Sequence, residues 1–349
     1  MPPAGRRLSA TWVRQRNDRS FRLAPGGADP PSWRRASMVI VATVVLPFFG
    51  LIFCGYLAGR GRLIDEAATR GLNAFVYWFA LPAMLLILVA KAPVREAFDL
   101  GFFGAYYGAG LAVYAAAALA GRVLFETRLG VQALQGMAAS FPNVGYIGLP
   151  LSIAAFGEAA ALPAVLIIVF DSLVLNTLTF LLLESDRRDR AGIGRSLGKL
   201  ALGMLRNPLL LAIFAGLALA WFGVPLPEPV AAFGRLLSQA AAPAALFALG
   251  ATLSGQAVAG DLKEALFVSA FKLYFHPLAV WIAVTQLAQF DPLWTKVALT
   301  QAALPTAASA FVVATQYGVY IRRASSAVFF STAIAVFSVS ALLAFLTGE

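Results

Sequence analysis

Ten stretches of about 20 mostly apolar residues make up most of the chain, and a helix of that length crosses the roughly 30 Å of hydrocarbon in a bilayer. They lie near residues 38–58, 68–90, 99–120, 131–157, 162–183, 203–222, 230–253, 262–288, 294–317 and 324–346. Backbone amides cannot stay unpaired in lipid, and these runs lack the alternation of apolar and polar residues that marks barrel strands. The sequence therefore predicts an all-α integral membrane protein with ten transmembrane helices.

The composition excludes a water-soluble enzyme. Of the 349 residues, 60% are apolar and 13% are charged, against about 25% charged residues in soluble proteins. The single cysteine, Cys54, excludes an intrachain disulfide, and with only one histidine, His276, no zinc or iron site of the Cys/His kind is available. No nucleotide-binding motif is found either. We therefore predict no cofactor and no resident metal ion.

Charge divides the chain into parts. Residues 1–37 contain eight arginines against Asp18 and Asp29, so we expect a disordered basic extension, or the product of an upstream start before Met38. A first five-helix repeat is expected over residues 38–183 and a second over 203–349. The basic residues between them, 184–202, are predicted to form a cytoplasmic linker.

Lysine and arginine collect in alternate loops, which sets the orientation in the membrane. One side receives Arg60, Arg62, Arg70, Arg122, Arg128, Arg187, Arg188, Arg190, Arg195, Lys199, Arg206, Lys263, Arg322 and Arg323. The other side receives Lys91, Arg95, Arg235 and Lys296. The first set is predicted to face the cytoplasm, with both termini outside. The eight arginines of the extension conflict with that placement, because they would have to be translocated.

Three proline pairs indicate an internal duplication. Their members are 161, 161 and 163 positions apart: Pro47 with Pro208, Pro82 with Pro243, and Pro142 with Pro305. Because each unit has five helices, an odd number, the second copy must enter the membrane upside down. Inverted repeats are typical of secondary transporters, which bind substrate near the bilayer midplane where the copies meet.

The fourth and ninth runs are predicted to be broken helices that cross each other. Pro142 with Gly145 interrupts the fourth run, and Pro305, followed by Thr306 and Ser309, interrupts the ninth. The N-termini of half-helices suit an anion, while freed carbonyls suit a cation or water. The alternative is that these prolines only kink two continuous helices.

Several strings resemble the auxin efflux carrier family, from about Met38 to the C-terminus. They are Leu46-Pro47 with Gly55-Tyr56-Leu57, FPNVGYIGLPL (141–151), PAALFALGATL (243–253), LYFHPL (273–278) and LPTAASAFVVATQYG (304–318). The resemblance implies two inverted five-helix halves with a crossover of helices 4 and 9, and Asn143 as a contact to a carboxylate substrate. It also implies a scaffold of helices 1, 2, 6 and 7 beside a mobile bundle. Bacterial members of this group resemble carriers of malonate and malate in the inner membrane.

Ionisable residues inside the predicted helices are the remaining signals, because each is costly in lipid. Lys272 and His276 are four residues apart and share a helix face. With Asp171 they could compensate the charge of an anion or carry a proton. The alternatives are a lysine that extends to the interface, a histidine bound to a carbonyl, and an aspartate with a structural role. Gln301 is expected to line the crossover.

These observations favour a secondary active transporter of small organic anions such as malonate or malate, and not an enzyme. The expected partners are a small carboxylate, the lipid bilayer and H+ or Na+ as coupling ion. A homodimer is one possible assembly, and no nucleic-acid partner is expected. A sodium-coupled transporter of the bile-acid type is the alternative. An intramembrane hydrolase would need a base paired with a nucleophile, and His276 has no serine or aspartate within helical reach. A passive channel is a further alternative.

Overall fold

The computed structural model describes residues 41–93, 99–186, 198, 202–203, 205–255, 262–287 and 290–347. The predicted extension 1–37 and most of the predicted linker 184–202 lie outside the described residues. The helices are α1 (Ala42–Arg60), α2 (Glu66–Ala90), α3 (Leu100–Phe125), α4 (Leu129–Ser140), α5 (Val144–Phe156), α6 (Glu158–Asp186), α7 (Pro208–Phe222), α8 (Glu228–Ser254), α9 (Leu262–Gln286), α10 (Pro292–Ala302), α11 (Ala308–Tyr317) and α12 (Ile321–Thr347).

The predicted all-α membrane class is confirmed in its main feature. Within the described ranges, seven helices are long and apolar enough to cross a membrane: α1, α2, α3, α6, α8, α9 and α12. The sixth run forms the shorter apolar helix α7. The fourth run divides into α4 and α5, and the ninth into α10 and α11. The count of ten crossings in two inverted repeats stays a prediction.

Polar side chains fix where several helices begin. Asp99 Oδ1 accepts from the amide of Gly101 at 2.7 Å at the start of α3, and Asp291 Oδ1 accepts from that of Leu293 at 2.8 Å at the start of α10. The Asn207 side chain accepts from an amide in the same way at α7. Each oxygen satisfies one of the amides that a helix N-terminus leaves unpaired.

Prolines inside three helices widen the preceding turn. Pro82, Pro150 and Pro277 each follow a π-helical turn, namely Val76–Ala80, Val144–Gly148 and Phe271–Phe275. A proline ring clashes with the carbonyl four residues earlier, and in each case that carbonyl belongs to the middle residue of the wide turn. Residues of these turns, Lys272 among them, are therefore displaced from the register of a regular α-helix.

Glycines allow α1 and α8 to cross with their backbones in contact. A Cβ added at Gly55 would lie 2.0 Å from the carbonyl oxygen of Phe247, and one at Gly250 would lie 1.8 Å from that of Ile52. α2 meets α7 in a similar way, because a Cβ at Gly216 would lie 2.9 Å from Val89 Cβ. Small residues are what bring membrane helices this close. The four helices α1, α2, α7 and α8 correspond to the first, second, sixth and seventh runs.

Gly55→Ala should separate α1 from α8 and lower the free energy of unfolding by about 1–3 kcal/mol, the usual cost of overpacking. The obstacle is a backbone oxygen that cannot rotate away. Gly50→Ala is the matched control on the same helix, since a Cβ there meets no atom within 4 Å. Denaturant unfolding in detergent measures both. Equal stability of the two variants would contradict the close crossing.

Candidate functional site

The two broken helices meet through their backbones. The amide of Asn143 donates to the carbonyl of Pro305 at 3.0 Å, and the amide of Ala307 donates to that of Phe141 at 3.1 Å. Pro142 and Thr306 thereby form an isolated antiparallel bridge. The predicted breaks and their close approach are confirmed, and the alternative of two merely kinked helices is wrong.

The break follows from the conformation that proline imposes on its neighbour. Phe141 is extended, with φ −90° and ψ 107°, because a residue before proline is sterically disfavoured in the α region. α4 accordingly ends at Ser140, two residues before Pro142. α10 likewise ends at Ala302, shortly before Pro305. At each break, backbone amides and carbonyls lose their helical partners. They form hydrogen bonds with the other break, so they are not left unpaired inside the membrane.

Thr306 is held in the crossover by two further contacts. Its amide donates to Ser331 Oγ at 3.1 Å, and its hydroxyl donates to the Ala138 carbonyl at 2.7 Å. Ala138 lies in the last turn of α4, where carbonyls lack helical partners. Ser331, on α12, is a site residue that the sequence reasoning missed. The sequence does not distinguish it, because α12 contains six other serine and threonine residues.

Gln301 lies in the last turn of α10 and contacts α5. Its Nε2 donates to Ser152 Oγ at 2.9 Å, and its Oε1 has no hydrogen-bond partner among the described residues. The side chain fits only because residue 148 is glycine, since a Cβ there would lie 2.0 Å from Gln301 Oε1. Gln301 thus links the two half-helices beside the crossover, as its predicted position required.

Two polar side chains at the crossover lack hydrogen-bond partners within the described part of the chain. Asn143 Nδ2 is unpaired although only 3% of the residue is exposed, and Ser309 Oγ is unpaired in the first turn of α11. A buried donor without a partner is rare and costs about 1–3 kcal/mol. Gly145, in the first turn of α5, faces open space, because a Cβ there meets nothing within 4 Å. The structure therefore brings all seven predicted crossover residues into one region, where two polar side chains have no hydrogen-bond partner among the described residues.

A second buried cluster surrounds Lys272. Its Nζ donates to the carbonyl of Ala302, the last residue of α10, at 2.5 Å and lies 3.0 Å from His276 Nδ1. An ammonium group only donates, so a charged Lys272 requires Nδ1 of His276 to accept. Lys272 and His276 are both fully buried. The alternative of a lysine that extends to the interface is therefore wrong.

Asp171 belongs to the same cluster. It is 2% exposed, and its carboxylate neighbours the hydroxyl of Tyr107, which donates to the carbonyl of Ile167 at 2.8 Å. Asp171 interacts electrostatically with Lys272 and with Tyr106 and Tyr107 of α3. The hydroxyl of Tyr106 and the Nε2 of His276 lack hydrogen-bond partners among the described residues. The sequence reasoning missed both tyrosines, which lie in an apolar run and gave no distinguishing signal.

A buried carboxylate that the sequence reasoning missed joins three helices at another end of the bundle. Glu264, in the first turn of α9, accepts a hydrogen bond from Gln135 of α4 and pairs with Arg323 of α12 at 2.9 Å. Glu264 is fully buried, while the Arg323 side chain is 42% exposed. The sequence did contain a signal for Glu264, namely an acidic residue inside a predicted transmembrane run.

Two cavities lie elsewhere in the described part of the chain. One of about 720 Å³ lies between the α1–α2 segment and α11–α12, and its wall includes Arg62, Arg70 and Arg322. Asn73 lines it and accepts a hydrogen bond from the hydroxyl of Tyr146 on α5 at 3.3 Å. One residue of the cavity wall is thus hydrogen-bonded to the helix that starts at the crossover. Another, of about 310 Å³, is lined in part by Lys91, Glu158 and Arg235.

The sequence matches a family model described as "Membrane transport protein" over residues 40–343. The chain belongs to this family, that of the auxin efflux carriers. It is an integral membrane transporter and not an enzyme. Within the family it is 35% identical over 312 residues to a protein of Rhizobium meliloti named "Putative malonate transporter", with 88% of this chain and 96% of the relative covered.

Two more distant relatives span nearly the same length. "Auxin efflux carrier component 8" of Arabidopsis thaliana is 25% identical over 359 residues, covering 87% of this chain and 96% of the plant protein. "Uncharacterized transporter MJ1031" of Methanocaldococcus jannaschii is 25% identical over 309 residues, covering 84% and 95%. Because these relatives are covered almost from end to end, the family resemblance concerns the whole transporter body and not one segment.

Proposed function

We propose that this family member is a secondary active transporter of small organic anions, such as malonate or malate, that works by alternating access at the crossover. One observation carries the proposal: the buried, unpaired amide nitrogen of Asn143 at the backbone pairing of Pro142 with Thr306. A carboxylate oxygen would accept the hydrogen bond that this buried N–H₂ group has free to donate. The name of the Rhizobium meliloti relative supports malonate within this class.

The substrate would lie among the first turns of α5 and α11. These begin at Val144 and Ala308, next to the crossover, and helix N-termini offer free amides with a positive dipole. We assign Asn143, Gly145 and Ser309 to direct contact. The other four predicted crossover residues would shape the site: Pro142, Gln301, Pro305 and Thr306.

Lys272, His276 and Asp171 would supply charge compensation and coupling. Each helix dipole stabilises an anion by only about 0.3–1 kcal/mol, or about 2 kcal/mol in the best geometry. A dianion in a low-dielectric site therefore needs a full positive charge nearby. The Lys272 ammonium is bound to the end of α10, the helix that leads into the second break. Displacement of that helix during transport would move the charge with it.

The proposed architecture is ten helices in two inverted repeats, and the proline pairs support it. Pro82 lies within α2 and Pro243 within α8, while Pro142 and Pro305 occupy the two breaks that meet. The group α1, α2, α7 and α8 would be the scaffold, and the other helices would form the mobile bundle. The cavity of about 720 Å³ lies between members of these groups, as expected of a passage used in alternating access.

The proposed orientation places this cavity on the cytoplasmic side of a bacterial inner membrane, with both termini outside. Its wall includes Arg62, Arg70 and Arg322, all from the larger set of loop cations. Lys91 and Arg235, from the smaller set, both line the other cavity. This separation supports the orientation that the positive-inside rule favours.

The test is uptake of radiolabelled malonate, malate and acetate into proteoliposomes containing the purified protein. Asn143→Ala should raise the apparent KM for malonate about 10-fold or more, since a hydrogen bond to a charged group contributes about 1.5–3 kcal/mol. Asn176→Ala is the matched control, because it removes the same amide group from a different helix, α6. Equal kinetics in both variants would refute the proposed site. The absence of carboxylate uptake by the wild type would refute the proposed function.

A further inference from the structure

The hydroxyl of Tyr146 connects the crossover to the proposed scaffold of α1, α2, α7 and α8. It donates to Asn73 Oδ1 at 3.3 Å, and Asn73 lies on α2. Tyr146 follows Asn143 by three residues and is the middle residue of the wide turn that precedes Pro150. Its ring packs against two hydrophobic clusters, so packing fixes the direction of the hydroxyl. A side chain of the crossover helix α5 is therefore bonded to a helix of the other group.

Asn73 is itself held within the scaffold. Its Nδ2 donates to Thr252 Oγ1 of α8 at 3.1 Å and to the carbonyl of Thr69 at 3.0 Å. The Thr252 hydroxyl in turn donates to the carbonyl of Ala248, one turn earlier in α8, at 2.8 Å. Because the amide nitrogen uses both of its donor hydrogens inside the scaffold, the amide oxygen is left to accept from Tyr146. Asn73 therefore moves with α2 and α8.

Tyr146, in contrast, moves with the crossover. The amide of Asn143 donates to the carbonyl of Pro305 at 3.0 Å, which ties the start of α5 to the second break. O–H···O bonds usually measure about 2.5–3.0 Å, so the contact of Tyr146 with Asn73 at 3.3 Å is already long. A small displacement of α5 against α2 is enough to break it.

The acceptor of this bond lies on the wall of the larger cavity. Thr69, Asn73 and Thr252 all line the cavity of about 720 Å³. The cavity of about 310 Å³ is lined by Ala161 of α6 and Ser238 of α8, among others, and Ala161 is only 4% exposed. The bond of Tyr146 is thus formed in a state in which Ala161 is covered.

We infer that Tyr146 is a positioning residue, whose hydroxyl holds the crossover to the scaffold while the larger cavity is accessible and releases it when access changes to the other side. The inference rests on the proposed function, because it assumes alternating access between two groups of helices. It adds the contact that has to break and form again in each cycle. Its test needs no substrate.

The experiment follows the reaction of a water-soluble maleimide with an Ala161→Cys variant of the purified protein, in which the exposed Cys54 is replaced by serine. The thiol should react only when the smaller cavity opens. Tyr146→Phe should raise the labelling rate about 2- to 10-fold, the population shift that loss of one neutral hydrogen bond produces. Tyr274→Phe is the matched control. It removes a hydroxyl from the wide turn of α9, where the residue is 65% exposed, and should leave the rate unchanged.

Asn73→Ala should also raise the labelling rate, and adding Tyr146→Phe to it should have no further effect, because both changes remove the same bond. An unchanged or lower rate in Tyr146→Phe overturns the inference, and so does a further increase in the double variant. Ser238→Cys is the second reporter if Ala161→Cys does not fold. Malonate uptake by the wild type with unchanged labelling in Tyr146→Phe would leave the proposed function standing without this contact. Faster labelling without any carboxylate uptake would show the reverse.

Discussion

Lys272→Met should lower the free energy of unfolding by about 3–5 kcal/mol, the usual cost of removing one member of a buried charge pair. Methionine keeps much of the volume of the side chain but provides no positive charge. The carboxylate of Asp171, 2% exposed, would then remain buried without a cation, and the Ala302 carbonyl would lose its donor. Because both losses occur inside the bundle, water cannot compensate for them.

Asp171→Asn combined with Lys272→Met should recover most of the lost stability while leaving transport inactive. A neutral pair no longer buries an unpaired charge, so the penalty that dominates the single variant is removed. The measurement is a double-mutant cycle of unfolding free energies in detergent, with malonate uptake recorded for the same four proteins. Additive free energies would show that Asp171 and Lys272 are not coupled. Recovered uptake would show that their charges are structural only.

The sequence predicted the crossover more fully than it predicted the buried charges. Pro142 and Pro305 determine local backbone geometry, so their effect could be inferred from neighbouring residues alone. The pairing of Asn143 with Pro305 followed from the repeat, which placed both breaks at equivalent positions. Ser331 could not be inferred, because helical periodicity gives the face of α12 and not the helix that packs against it.

The cluster around Lys272 shows where the same reasoning stops. The contact with His276 follows from a spacing of four within one helix. The partners from other helices do not, since the shorter of its two hydrogen bonds is to the backbone carbonyl of Ala302, which has no sequence signature. The roles of Asp171, Lys272 and His276 stay predictions, although the three side chains do share one buried site.

Gly148→Val should abolish malonate uptake by disrupting the crossover. A Cβ at this position would lie 2.0 Å from Gln301 Oε1 and 2.5 Å from Leu304 Cδ1, and both side chains are fully buried. Gln301 cannot rotate away without losing its hydrogen bond to Ser152 at 2.9 Å. Leu304 directly precedes Pro305, so its displacement would shift the backbone that pairs with Asn143.

The control for Gly148→Val is Gly108→Val on α3, where a Cβ meets no atom within 4 Å. Both variants add the same β-branched side chain to a helix and change the intrinsic helix propensity in the same direction, since valine is a better helix former than glycine. Uptake that falls in Gly148→Val alone therefore reports the contact with α10. Combining Gly148→Val with Gln301→Ala should recover part of the lost thermal stability, because the alanine removes the obstructing amide. If Gly148→Val transports malonate at the wild-type rate, α5 and α10 can separate at this point, and the close contact at the crossover is not needed for transport.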